Sequence, residues 1–255
     1  MSDQLRPGIL AGRVAVVLGA TGWIGRAICH DLTDAGADLV FVGRNGERLD
    51  ELQRELAAGD RVLSAIADVT SQLQVDDARA AALTRFGHVD LLVVCSGVMT
   101  GSAFEDGIPA DWAEMIDVNL RGLLHATQTF ADELLHAADR DLPSDIVLIG
   151  AVSTDQHTSH LAVFNAIAAA NRQLARTLRH EYGPRGLRVH IVEPGFGVEN
   201  SADRDVATSR AHERHASRDA STLKPEAIAS VVTLAAALPR HANLAEVLLL
   251  PTDRG

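Results

Sequence analysis

Short apolar runs and amphipathic stretches alternate along almost the whole chain. Arg13-Val14-Ala15-Val16-Val17-Leu18 is nearly all aliphatic and ends in glycine, which fits a buried strand. Ile24 to Ala35 follows as a helix, Asp38 to Val42 as a second strand and Asn45 to Ala58 as a charged helix. The alternation continues with a strand over Arg61–Ala67, a helix over Asp76–Phe86 and a wholly buried strand over Val89–Val94. Pro109 to Ala137 reads as helical, in one short piece and one long one. Then come a strand over Asp145–Gly150, a long helix over His160–Tyr182, a strand over Leu187–Val192, a helix over Pro225–Leu238 and a last strand over Glu246–Leu250.

Strands that alternate with helices predict an α/β fold. The pattern implies one Rossmann-like, doubly wound parallel sheet of about seven strands, with ligands at the carboxyl ends of the strands. No linker or internal repeat divides residues 1–255, so one dinucleotide-binding domain is expected. Residues 196–222 break the rhythm with Arg, Asp, His, Ser and Ala and little hydrophobic period. They follow Pro194-Gly195 and leave the sheet on the ligand side. The segment reads as a mobile lid, or as a surface loop without a role.

Composition adds bounds. Hydrophobic residues make up 47% of the chain and aromatics only 4%, so the core must be filled by Ala, Val, Leu and Ile. The net charge of -11 argues against nucleic-acid or anionic-membrane partners. Cys29 and Cys95 lie in apolar segments and read as reduced, buried small hydrophobes of a cytoplasmic protein. Met1 to Gly12 has no apolar signal core, and no apolar run is long enough to span a bilayer.

The clearest chemistry lies between the first strand and the first helix, at Gly19-Ala20-Thr21-Gly22-Trp23-Ile24-Gly25. Glycines at that place permit a tight turn and close approach of backbone to a pyrophosphate, which the helix N-terminus then attracts. The second strand ends in Val42-Gly43-Arg44-Asn45, with a guanidinium where an NAD site carries a carboxylate. Arg44 suits the 2′-phosphate of NADPH, or is a solvated arginine at a helix start. Asp68-Val69 ends the third strand, where Asp68 either meets the adenine edge or caps a turn. Ser96-Gly97 ends the fourth strand and lets backbone approach a cofactor. His157 and His160, like His212 and His215, share helical spacing but lack further ligands, so no metal is expected.

These residues resemble the short-chain dehydrogenase/reductase family over essentially the whole length. Asp90-Leu91-Leu92-Val93-Val94-Cys95-Ser96-Gly97 is similar to its D-x-L-V-N-N-A-G motif, and Asp117-Val118-Asn119-Leu120-Arg121-Gly122 to its helix asparagine motif. Arg188 to Gly195 matches its strand and Pro-Gly, and Glu246 to Thr252 the close of one subgroup. Phe164-Asn165-Ala166-Ile167-Ala168-Ala169-Ala170 fits its Y-S-A-S-K-A-A. The resemblance implies a nicotinamide cofactor held by Gly19, Thr21, Gly22, Trp23, Ile24, Gly25, Arg44, Asp68, Val69, Ser96, Gly97, Pro194 and Gly195.

The departures fall on the family's catalytic residues. Ala151 stands at the serine position, Phe164 at the tyrosine position and Ala168 at the lysine position; only Asn119 is retained. The chain's one tyrosine, Tyr182, ends the same helix and reads as packing, and its one lysine, Lys224, lies far away. Ser153, Phe164 and Phe196 are left as candidate substrate contacts, with Ser153, Thr154 and Ser96 positioning at best. The triple replacement resembles ketoreductases of aromatic polyketide biosynthesis. Two readings follow: an NADPH-dependent ketoreductase whose aromatic ketone substrate supplies its own proton, or an inactive dinucleotide sensor or partner subunit. Family resemblance also implies a homo-oligomer, dimer or tetramer, through the two long helical regions.

Overall fold

The structure is a computed structural model and describes residues 8–151, 159–195 and 223–252. Seven parallel strands form one sheet in the order β3-β2-β1-β4-β5-β6-β7. They are β1 (Val14–Leu18), β2 (Asp38–Gly43), β3 (Val62–Ile66), β4 (Leu91–Val94), β5 (Asp145–Ile149), β6 (Arg188–Pro194) and β7 (Glu246–Leu249). The helices between them are α1 (Trp23–Asp34), α2 (Gly46–Leu56), α3 (Gln72–Phe86), α4 (Pro109–Ile116), α5 (Gly122–Asp139), α6 (Ala162–Tyr182) and α7 (Pro225–Ala237).

Strand β1 shows why the sheet is covered on both sides. Val14, Val16 and Leu18 pack with Phe130, Leu134 and Ala175 of α5 and α6. Ala15 and Val17 point the other way, to Ile28 and Leu32 of α1 and Ile228 and Val232 of α7. Successive side chains alternate faces, so an unbroken aliphatic run feeds two cores at once. The chain builds β1, β2 and β3 in one direction and β4 to β7 in the other. The reversal falls between β1 and β4, whose pairing runs from Ala15↔Leu91 to Leu18↔Val94. Ligands of open α/β sheets bind at such a point.

Most boundaries fall within two residues of the sequence expectation, and one differs by four. Helix α3 begins at Gln72, four residues before the expected Asp76, because Ser71 supplies the extended residue that opens it. The helical stretch from Pro109 falls into one short piece and one long one as expected, α4 and α5, and a π turn over Asp117–Arg121 joins them. Cys29 is buried as expected, whereas Cys95 is only partly buried at the end of β4. The residue is partly exposed but its sulfur is desolvated, which pushes the Cys95 thiol up to about 12, and burial pushes the Cys29 thiol well above its usual value. No helix among the described residues is long and apolar enough to cross a membrane.

Candidate functional site

The turn after β1 is built by three glycines with three different tasks. Gly19 has φ +81° and lies against the next strand: a Cβ there would meet the Ser96 amide nitrogen at 2.5 Å. The Gly19 and Ala20 amides both donate to the Val42 carbonyl at 3.0 Å, tying the turn to β2. A Cβ on Gly25 would collide with the Gly19–Ala20 backbone, so Gly25 lets α1 pack onto the turn. Gly22 is different. It is exposed, and a Cβ there would touch only the Gly19 carbonyl, at 3.4 Å.

Gly22 is also the N-cap of α1, and no side chain caps that end. The first turn carries no acidic residue. Trp23, Ile24 and Gly25 therefore open a helix whose leading amides and dipole are available to an anion. A phosphate or pyrophosphate fits this cradle on its own chemistry. Thr21 folds its side chain against Gly43 and so packs the turn onto the end of β2.

Beyond Gly43, Arg44 is 61% exposed, and its nearest carboxylate is Asp68 at 3.9 Å. That distance leaves the guanidinium free to turn to another anion. Asp68 itself forms a turn: its Oδ1 accepts from the Thr70 amide at 2.9 Å and the Thr70 hydroxyl at 2.8 Å. Partial burial raises its pKa, but the Thr70 bonds and Arg44 outweigh it and hold the carboxyl below the usual value. The Asp68 amide donates to Gln74 Oε1 at 2.7 Å, and the Val69 carbonyl faces His125 Nδ1 at 2.9 Å. Of the two expected roles for Asp68, the turn is the one its contacts display.

At the end of β4, Ser96 Oγ is buried without a partner among the described residues. Gly97 is exposed beside it, and the next residue is gripped. Asn119 Oδ1 accepts from the Val98 amide at 2.8 Å, and Asn119 Nδ2 donates to the Val98 carbonyl at 2.7 Å. Asn119 thus spends its side chain on backbone. Ala151 follows β5. Phe164, part-buried, and Ala168, 7% exposed, lie four residues apart and so share one side of α6. Pro194 is buried at the end of β6, and the Gly195 amide donates to the Leu249 carbonyl at 2.7 Å. Tyr182 packs against the core at the far end of α6. Ser153, Thr154, His157, Phe196, His212, His215 and the expected lid at 196–222 lie outside the described residues. Among the described residues no cluster of His, Cys, Asp or Glu has a metal-holding arrangement.

Two features escaped the sequence reading. A shallow depression between α4 and the start of α6 is lined by Thr100, Trp112, His160 and Val163, with Phe104 stacked on Trp112 at 5.3 Å between ring centroids. The signal available was scarcity, since two of a handful of aromatics fall close together. The second feature is a bidentate pair beneath the sheet's ligand edge, Arg172 Nε and Nη2 on Glu193 Oε1 and Oε2 at 2.9 and 2.7 Å.

The sequence pattern of the short chain dehydrogenases matches residues 13–208. The chain belongs to that family. An oxidoreductase of Staphylococcus epidermidis, itself uncharacterized, is 33% identical over 240 residues, covering 94% of this chain and 97% of the relative. The closed form of a serine dehydrogenase complexed with NADP+ superposes with a TM-score of 0.85 at 26% identity, over 95% of this chain and 96% of that one. An actinorhodin polyketide ketoreductase with NADPH superposes with a TM-score of 0.81 at 25% identity, over 94% of this chain and 96% of that one. This short-chain dehydrogenase is therefore an oxidoreductase by kinship, and its sheet and glycine turn are those of the fold.

Proposed function

We propose that the protein is an NADPH-dependent ketoreductase that reduces an aromatic polyketide or quinone-type ketone in antibiotic biosynthesis. Bound NADPH supplies the hydride. The glycine turn and the open amides of α1 hold the pyrophosphate, and Arg44 takes the 2′-phosphate with charge-assisted bonds. Likeness to NADP-bound relatives and to a polyketide ketoreductase supports this choice.

The observation that carries the mechanism is the chemistry of the wall. Ala151, Phe164 and Ala168 offer no proton, and the Asn119 amide is occupied by Val98. The protein's part is to orient a flat ketone against the cofactor and exclude water. A phenol hydroxyl next to the ketone then stabilises the alkoxide and donates the proton. Phe164, and the Phe104–Trp112 stack nearby, suit an aromatic ring system. A homo-oligomer, dimer or tetramer, would meet through the two long helical regions, residues 109–137, where Ile116 and Leu124 are each about 40% exposed, and residues 160–182.

The same wall favours a second reading, an inactive dinucleotide sensor or partner subunit. NADPH consumption with a panel of hydroxyquinones separates them. Turnover supports the reductase; tight NADPH binding without turnover on any member leaves the sensor.

A further inference from the structure

Helix α6 carries a buried amide, Asn171. Asn171 is 7% exposed, on the same side as Ala168 and Ala175. A buried amide is unfavourable unless its hydrogen bonds are made. Only half of this one is satisfied. Asn171 Nδ2 donates to the main-chain carbonyl of Asn119 at 3.0 Å, while Oδ1 has no partner among the described residues. A leucine would fill similar space without the orphan oxygen, so packing does not explain the amide.

The bond to Asn119 does. Asn119 lies in the π turn over Asp117–Arg121, and π geometry disturbs the i→i−4 ladder and leaves carbonyls to find other donors. The Asn119 side chain is committed to Val98 through both of its atoms. A continuous run of hydrogen bonds therefore leads from α6, through the π turn, to the backbone directly after Ser96-Gly97. Ala168 is one turn away and contributes no polar contact.

We propose that Asn171 is a positioning residue for the nicotinamide end of the cofactor site. By holding the Asn119 carbonyl it fixes the amide that clamps Val98, and so fixes the Gly97 wall. The inference rests on the cofactor reading given above. The test is Asn171→Leu in the full chain, read by melting temperature, hydrogen exchange at the Val98 amide, calorimetric NADPH affinity and the emission of bound NADPH. The expected result is an unchanged or higher melting temperature with faster exchange at Val98. NADPH affinity should fall about tenfold, the worth of one lost hydrogen bond, and the emission should change as the nicotinamide environment loosens. Asn171→His, which keeps a ring N–H near the position of Nδ2, should restore protection at Val98. Asn171→Ser, too short to reach the carbonyl, gives the same comparison if leucine prevents folding. Unchanged exchange at Val98 together with unchanged NADPH emission would overturn the proposal. Failure of the wild-type chain to bind NADPH would sink the cofactor reading instead, and exchange at Val98 in the free protein would still decide the role of Asn171.

Discussion

Arg188 grips Asp145 along one edge of its guanidinium, Nε to Oδ1 at 2.6 Å and Nη2 to Oδ2 at 2.9 Å, at the end of the sheet opposite the glycine turn. Arg13 Nη2 and His190 Nε2 reach the same carboxylate at 2.7 and 2.9 Å, and Arg13 also bonds Asp90 and the Ala236 carbonyl. The network fastens the last turn of α7 to β1, β4, β5 and β6. Burial alone would raise the Asp145 pKa, but the His190 bond and the Arg13 and Arg188 charges outweigh it and hold it below its ordinary value. A carboxyl depressed in the folded state stabilises fully above its unfolded value and less as pH falls through the folded one. Stability from this group should therefore be intact above the ordinary value of 3.8 and decline below it. Asp145→Asn takes the carboxylate from buried Arg188, while Arg13 keeps Asp90, and should cost about 3–5 kcal/mol at neutral pH. It should also flatten the acid limb of the unfolding curve. Urea unfolding of both proteins between neutral and acid pH checks this; an unaltered acid limb would remove Asp145 as its source.

Gly19 and Gly22 are three residues apart but predict opposite outcomes. Alanine at Gly19 takes an unfavourable φ of +81° and meets the Ser96 backbone. Gly19→Ala should lose about 1–3 kcal/mol of stability by strain alone. Alanine at Gly22 has an ordinary φ of -73° and meets only the Gly19 carbonyl, at a van der Waals distance of 3.4 Å. Gly22→Ala should melt like the wild type while its methyl obstructs the pyrophosphate, weakening NADPH. Thermal melts and calorimetry on the pair distinguish the two, and a Gly22→Ala protein that binds NADPH normally argues that phosphate does not sit there.

Arg44 tests the choice between cofactors. Its guanidinium is exposed and only loosely associated with Asp68. Arg44→Ala should weaken NADPH by about 1.5–3 kcal/mol, the range for a hydrogen bond to a charged group. NADH, which lacks the 2′-phosphate, should lose little. Equal losses for both cofactors would show that Arg44 does not read the phosphate.

The parts of this fold that read plainly from the sequence are those set by local pattern. Strand β4 is an unbroken aliphatic run, and the glycine turn announces itself by lying between a strand and a helix. The π turn did not announce itself, because Asp117–Arg121 has ordinary helical residues and its geometry follows from packing against α6 and the Val98 backbone. The buried ion network was hidden for another reason. Arg13, Asp90, Asp145 and Arg188 each stand at the start of an apolar run and look like polar strand ends. Only the strand order brings residues 77 and 132 positions apart into contact. Asn171 was passed over within an alanine-rich helix, since its partner is a main-chain atom without a sequence signature.

The proton's source can be tested on the substrate itself. Serine, tyrosine and lysine are absent from positions 151, 164 and 168, and the Asn119 amide is spoken for by Val98. If the ketone's neighbouring phenol is the donor, its methyl ether should bind nearly as well, because the aromatic surface is kept. Its reduction should nevertheless fall by a hundredfold or more, on the order of what loss of one oxyanion donor costs. Removing single protein hydroxyls should do far less: Ser96→Ala, Ser153→Ala and Thr154→Ala should each retain turnover, where loss of an essential general acid costs orders of magnitude. Single-turnover rates separate binding from the chemical step. A methyl ether reduced at the rate of the free phenol would mean that a protein group donates the proton after all. The collapse of activity in any one of the three alanine variants would then name that group.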